Sequence, residues 1–327
     1  MKKIVSLTLL LIMLLTLLSG CDFLPEEIKV CNVNFYVDDE IYSSKTAMIG
    51  QTVSQPSNPQ KDNQIFIGWF VDGIFSHEYD FSGKVIGDMD LHAKFTLDAV
   101  ALTNMITTTT MKSLVFITNK CYTTAMGGFV EIASSTSQGS GVIIDISDGY
   151  AYVLTNCHVV YTNEEYDKQT IMVEDPWGNE YEAYIYKNPS CASSAMDPSY
   201  DLALICFKYN QTEAPKLAEI EIGYDPKIKD YVVALGSPLG QKNAITYGKV
   251  LNYQKLNAAD GEGIEGVTFD IIYHNALLDH GSSGGPLLDT SGRLVGLNFA
   301  GFETNHYGCA IPLSKITEFL GKYVYVK

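Results

Sequence analysis

Residues 281–286 read Gly-Ser-Ser-Gly-Gly-Pro and lie between two apolar runs, Val267 to Ile272 and Leu287 to Phe299. Glycines at 281, 284 and 285 admit positive φ and let the backbone approach another group closely. A serine held in such a turn can point its hydroxyl outward while neighbouring N–H groups converge on one spot, as an oxyanion hole requires. Alone, the cluster describes a tight turn between strands. Two upstream residues add to it. His158 ends the stretch Gly149-Tyr-Ala-Tyr-Val-Leu-Thr-Asn-Cys-His158, and Asp201 opens Asp-Leu-Ala-Leu-Ile-Cys-Phe207. A carboxylate placed directly before an apolar run is costly to bury unless it is paired. An imidazole N–H would satisfy it. His, Asp and Ser follow in that order, about 40 and about 80 residues apart, separations that two β-barrels can close.

Thr155-Asn-Cys-His-Val-Val160, Asp201-Leu-Ala-Leu204 and Gly281-Ser-Ser-Gly-Gly-Pro-Leu287 resemble the His, Asp and Ser motifs of the chymotrypsin-like serine proteases, in the bacterial HtrA style. Gly139-Ser-Gly-Val-Ile-Ile144 resembles the strand that precedes the histidine. Ala234-Leu-Gly-Ser-Pro-Leu-Gly240 with Thr246-Tyr-Gly248, and Tyr307-Gly-Cys-Ala-Ile-Pro312, resemble segments of the second barrel. The resemblance implies a mainly β fold in which residues 113–327 form two barrels and a C-terminal helix. It implies Ser283 as nucleophile, His158 as general base, Asp201 as its orienting carboxylate, and the N–H groups of Gly281 and Ser283 as oxyanion hole. It also implies a substrate pocket with Leu277 at its base and Asn298, Phe299 and Ala300 as its wall, an apolar floor suited to aliphatic side chains. Asp279 and His280 are expected to shape the substrate cleft, and His274 and His306 to lie at the surface. Cys157 is set aside as a nucleophile because neighbours on a strand point to opposite faces. The spacing Ile316, Phe319, Leu320 predicts a final helix. Only seven residues follow Leu320, so the PDZ domains that many HtrA proteins carry are not expected.

The first residues read as an address. Lys2 and Lys3 precede an apolar run from Ile4 to Leu18, too short for a membrane span but suited to a signal peptide. Leu18-Ser-Gly-Cys21 resembles a bacterial lipobox, which implies removal of residues 1–20 and a diacylglyceryl group on Cys21. Two acyl chains suffice for stable anchoring, so the expected place is the cell membrane, on its extracellular face. Residues 21–28 would be the lipidated tether. Residues 29–97 hold strand-like stretches at Val33 to Val37, Ile65 to Phe70 and Leu91 to Phe95. Gly68-Trp-Phe70 and Leu91-His-Ala-Lys-Phe95 resemble one internalin B-repeat, also called the Listeria-Bacteroides repeat, which implies a small β-grasp-like spacer or binding module of unknown ligand. Trp69 is expected in its core. Residues 98–112, with four threonines in a row, read as a linker.

The formal net charge is −16. Loss of Lys2 and Lys3 with a signal peptide would leave 20 basic residues facing 38 acidic ones, a surface that repels phosphate backbones and excludes nucleic acid as a partner. Polypeptides are the expected substrates. Of seven cysteines, six remain after Cys21, with no CxxC and no paired metal spacing, so neither metal nor cofactor is expected and disulfides are permitted without being required. A second class of function stays open: an adhesion or binding lipoprotein acting through its repeat, with the barrels inactive or cleaving only themselves.

Overall fold

Alternation of apolar residues builds the first unit. In β1 (Val30–Val37), Cys31, Val33 and Phe35 turn inward while Asn32 and Asn34 face out. β4 (Met89–Leu97) buries Leu91 and Ala93 in the same way, and runs parallel to β1. With β2 (Glu40–Met48) and β3 (Gln64–Phe70) they form a four-stranded sheet in the order β2-β1-β4-β3. Trp69 is 1% exposed and meets Phe35 edge-on, with ring centroids 4.9 Å apart. The computed structural model describes residues 29–323 apart from 129, 163–164, 188–193, 211, 213–215, 237–243, 257–266, 279–280 and 303–306. The expected signal peptide, Cys21 and the tether therefore lie outside the described residues, as do Asp279, His280, His306 and Cys191.

The second unit takes up the chain from Leu97. The expected linker is instead a helix, α1 (Ala99–Thr108), capped where the Asp98 carboxylate accepts the Ala101 N–H at 3.0 Å. Leu102 and Ile106, one turn apart, are fully buried in the core of this unit. Its threonines are accommodated because their hydroxyls bond back one turn, Thr103 to the Ala99 carbonyl and Thr107 to that of Thr103.

Next come β5 (Leu114–Ala125), β6 (Val130–Ser147), β7 (Tyr150–Thr155), the one-turn helix α2 (Cys157–Val160), β8 (Lys168–Glu174), β9 (Glu180–Ile185), β10 (Met196–Asp197) and β11 (Leu202–Lys208). The sheet order is β10-β11-β7-β6-β5-β8-β9, and pairing of β11 with β9 closes six of these strands into a barrel. Its interior is apolar, with Ile117, Ile143, Val153, Ile205 and Phe207 all fully buried. A second closed barrel, β12-β13-β14-β17-β16-β15, is formed by β12 (Tyr231–Gly236), β13 (Ala244–Lys255), β14 (Asp270–His274), β15 (Pro286–Leu288), β16 (Leu294–Phe302) and β17 (Tyr307–Pro312). The final helix, α3 (Leu313–Tyr323), buries Leu313, Ile316 and Phe319. The chain is thus mainly β, with two barrels and a terminal helix behind a small β unit.

His274 departs from its expected place at the surface. It closes β14, is fully buried, and sits opposite Gly308, where an added Cβ would come within 2.3 Å of its ring. Burial pushes its imidazole down to about 4, so the neutral form occupies the core. The unfolded chain binds this proton near the ordinary 6.5, the folded chain only near 4. Stability from this group is therefore complete above about pH 6.5 and declines, by about 3 kcal/mol, as pH falls toward 4. In urea unfolding, His274→Gln should lose less stability than the parent chain between those two pH values. Equal losses would show that His274 is not the group responsible.

Candidate active site

β7 ends at Thr155, and the chain turns at once into α2. The helical turn buries Cys157, Val159 and Val160 and leaves the His158 side chain 39% exposed at the barrel surface. His158 and Cys157 are thus neighbours on a helical turn, not on a strand, and it is burial that disqualifies the thiol. Burial, reinforced by the nearby carboxylates of Asp201 and Asp197, pushes Cys157 up to about 12. A thiol this reluctant to ionise is not a nucleophile at neutral pH. Cys31, Cys121, Cys206 and Cys309 are free thiols as well.

Asp201 stands just before β11, 1% exposed and with φ of 50°, a left-handed conformation in which Asp and Asn are enriched among residues with a side chain. Each of its acceptors is used. Oδ2 lies 2.8 Å from His158 Nδ1, and Oδ1 accepts the His158 backbone N–H at 3.0 Å. Its carbonyl accepts the Cys157 N–H at 3.1 Å and the Asn156 side-chain amide at 3.0 Å. The charge that the sequence places before an apolar strand is therefore paired with the imidazole, which it holds with Nε2 free to act.

Ser283 lies in the turn before β15. Gly281 and Gly284 have φ of 96° and 82°, so the turn needs the freedom of glycine. Two strands hold it. From β16, the Asn298 carbonyl accepts the Gly284 N–H at 2.8 Å, and the Asn298 N–H donates to the Gly285 carbonyl at 2.9 Å. From β6 of the other barrel, the Ser140 N–H donates to the Ser283 carbonyl at 2.7 Å and the Ser140 hydroxyl to the Gly281 carbonyl at 2.8 Å. Thr155, three residues before His158, donates to the Ser140 carbonyl at 2.7 Å. Gly139 shows how tightly the parts meet: a Cβ there would lie 2.6 Å from the Val159 side chain and 2.9 Å from the Ser283 carbonyl oxygen. The residue after His158 and the serine itself thus flank one glycine.

The Ser283 hydroxyl donates to the Phe299 carbonyl at 3.2 Å. It is not bonded to His158 Nε2; hydrogen bonds of this kind often tighten only when a substrate is bound. The Gly284 N–H is taken by the Asn298 carbonyl and the Gly285 N–H by the Ser282 carbonyl, whereas those of Gly281 and Ser283 make no backbone bond to other described residues.

Of the residues expected to line the pocket, Asn298 and Phe299 have buried side chains. Leu277 lies past the end of β14, between buried Ala276 and half-buried Leu278, and is 60% exposed. Asn298 is fully buried with its amide on the Pro286 carbonyl at 3.1 Å, clamping the serine turn from behind. Phe299 directs its ring into the core. The side chain of Ala300 lies outside the described residues. Ser140 and Thr155, the inter-barrel tie, had no role in the expectations although both lie inside the quoted motifs.

Residues 139–297 match the trypsin-like peptidase domain, and residues 32–94 the Listeria-Bacteroides repeat domain. The chain carries a trypsin-like peptidase domain behind a Listeria-Bacteroides repeat. The peptidase domain is similar to mitochondrial serine protease HTRA2 of Bos taurus, 33% identical over 186 residues, 56% of this chain and 36% of that protein. It is similar also to serine protease HTRA4 of Mus musculus, 35% identical over 188 residues, 58% of this chain and 35% of that protein. The chain spans about a third of the length of these curated relatives. Among solved structures, an HtrA-type protease with a tripeptide matches with a TM-score of 0.50 at 25% identity, over 68% of this chain and 64% of that one. The Rv3671c protease from M. tuberculosis in its active form matches with a TM-score of 0.51 at 23% identity, over 70% of this chain and 88% of that one, a likeness of fold.

Proposed function

We propose that the chain is an endopeptidase that hydrolyses peptide bonds of proteins through an acyl-enzyme on Ser283, held at the outer face of the cell membrane by lipid on Cys21. The observation that carries the catalytic part is the His158–Asp201 pair at 2.8 Å, set beside a serine turn that Ser140 ties to the same barrel. In the reaction Ser283 Oγ swings from the Phe299 carbonyl to the imidazole and attacks the scissile carbonyl. The O–H proton passes to His158 Nε2, and the Oγ–C bond forms. Asp201 keeps the other imidazole proton on Nδ1, so Nε2 is a base, and it stabilises the imidazolium that results. The N–H groups of Gly281 and Ser283 receive the oxyanion, each contributing about 3 kcal/mol. The imidazolium then gives its proton to the departing amine, the C–N bond breaks, and water releases the acyl group by the same path.

The acidic surface suits basic or neutral polypeptides and disfavours anionic ones. Anchoring rests on the sequence Leu18-Ser-Gly-Cys21 behind a short apolar run. The test is digestion of casein by the purified chain, with the new termini sequenced. Internal cuts throughout the substrate are expected; intact casein would contradict the proposal. For the anchor, Cys21→Ala should move the protein from the membrane fraction to the medium, and its retention there would count against lipidation.

A further inference from the structure

Asp201 owes its place to a short turn, and that turn is gripped by the last helix. The turn runs from Asp197, the last residue of β10, to Asp201, the residue before β11. Inside it the Tyr200 N–H donates to the Asp197 carbonyl at 3.2 Å and the Asp201 N–H to the Pro198 carbonyl at 3.1 Å. The Asp197 carboxylate organises it. Oδ1 accepts the Ser199 N–H at 3.0 Å and the Ser199 hydroxyl at 2.6 Å. Oδ2 faces away from the turn, toward α3, where it accepts the Lys322 ammonium at 2.9 Å and the Tyr323 hydroxyl at 2.7 Å. A third tie runs from Tyr200, the neighbour of Asp201, whose hydroxyl donates to Glu318 at 2.5 Å. The Tyr200 ring lies against Phe319, with centroids 6.1 Å apart, and under the Lys322 ammonium at 5.8 Å.

This is more than a helix needs in order to pack. Ile316 and Phe319 already bury the apolar face of α3, while Lys322 and Tyr323 sit in its last turn and reach across more than a hundred residues to one nearly buried carboxylate. Burial opposes that charge, yet the bonds from Ser199, Lys322 and Tyr323 outweigh it and hold Asp197 at about 2, ionised at any working pH. The backbone they fix is the one that must keep Asp201 left-handed, the conformation in which both its carboxylate oxygens meet His158.

We propose that Asp197, Lys322 and Tyr323 are positioning residues for the catalytic pair: the end of α3 latches the Asp197–Asp201 turn so that the Asp201 carboxylate stays on the imidazole. The proposal rests on the serine-protease reading, because only there does the orientation of His158 matter to turnover. None of the three touches substrate; they act through Asp201.

The test compares the full chain with the double variant Lys322→Ala/Tyr323→Phe and with Lys322→Arg. Two readouts are taken, kcat and KM on casein and the far-downfield proton resonance of His158 Nδ1–H bonded to Asp201. In the double variant kcat should fall about ten- to a hundredfold with KM within about twofold, the scale expected when a catalytic group is displaced by about 1 Å. The downfield proton should broaden or vanish, and Lys322→Arg should keep both. An unchanged kcat, or a lowered kcat with the proton retained, overturns the latch, since Asp201 would still be holding His158. Should the double variant lose its near-UV circular dichroism, Tyr323→Phe alone, which removes one hydroxyl, decides by the same readouts. A parent chain that hydrolyses nothing contradicts the protease reading instead, and the proton resonance then judges the latch on its own.

Discussion

Replacing Ser283 by alanine should lower kcat/KM on casein by about 10^4-fold or more, with little change in melting temperature. The size follows from the chemistry. Without Oγ no acyl-enzyme forms, and what remains is attack by water on a carbonyl polarised by the turn's N–H groups, a residual contribution only. The small effect on stability follows from the bonding of the turn. Ser140 holds the carbonyls of residues 281 and 283, and Asn298 holds Gly284 and Gly285. All of these contacts reach backbone atoms. Among the described residues, the bond the substitution removes is the one from the hydroxyl to the Phe299 carbonyl. Hydrolysis at the parent rate would mean that some other group performs it and that the assignment of Ser283 is wrong. A lost activity that merely tracks a lost fold would be equally unfavourable, which is why the melting curve belongs to the measurement.

Asp201→Asn should cost nearly as much, about 10^4-fold in kcat, for a different reason. The carboxylate makes two bonds to one residue, Oδ1 to the His158 backbone N–H and Oδ2 to Nδ1. An amide can keep the first by presenting its oxygen there, but its NH2 group then faces Nδ1. A donor in that position forces Nδ1 to accept, so the imidazole proton moves to Nε2, and Nε2 can no longer take the proton of Ser283. The negative charge that would stabilise the imidazolium is lost as well. The two substitutions act on one proton path, so their effects should not add. The variant carrying both should be no slower than Ser283→Ala alone, and a further drop of several decades would show that Asp201 serves some separate step.

The His158–Asp201 pair and the serine turn are legible in the sequence because each leaves a local mark. A charge before an apolar strand needs a partner, and Asp201 has one in His158. Glycines clustered around a serine mark a turn with positive φ, found at Gly281 and Gly284. Apolar alternation marks β1 and β4 and an apolar run marks β3, whereas β2 leaves no such mark because it is exposed along much of its length and is held by backbone pairing with β1. Helix α1 falls on a stretch that reads as a linker because threonines are poor helix formers; the burial of Leu102 and Ile106 that stabilises it is a tertiary fact. His274 looked exposed for a similar reason. Its room depends on Gly308, a partner 34 positions away that no local pattern links to it. The burial of Asn298 and Phe299 is not legible in the sequence, because it depends on the closure of the second barrel around them. Asp197 and Lys322 likewise show nothing alone, since a latch between residues 125 positions apart exists only once both barrels are closed.

The most direct test of convergence among His158, Asp201 and Ser283 is covalent capture. The purified chain is treated with a peptidyl phosphonate, digested, and the adduct located by mass spectrometry. A single adduct on Ser283 is expected, forming at a rate that falls by orders of magnitude in His158→Ala, because only a serine deprotonated by its neighbour displaces the leaving group. No adduct on the folded parent chain, an adduct on another residue, or capture at an equal rate without His158 would contradict the assignment.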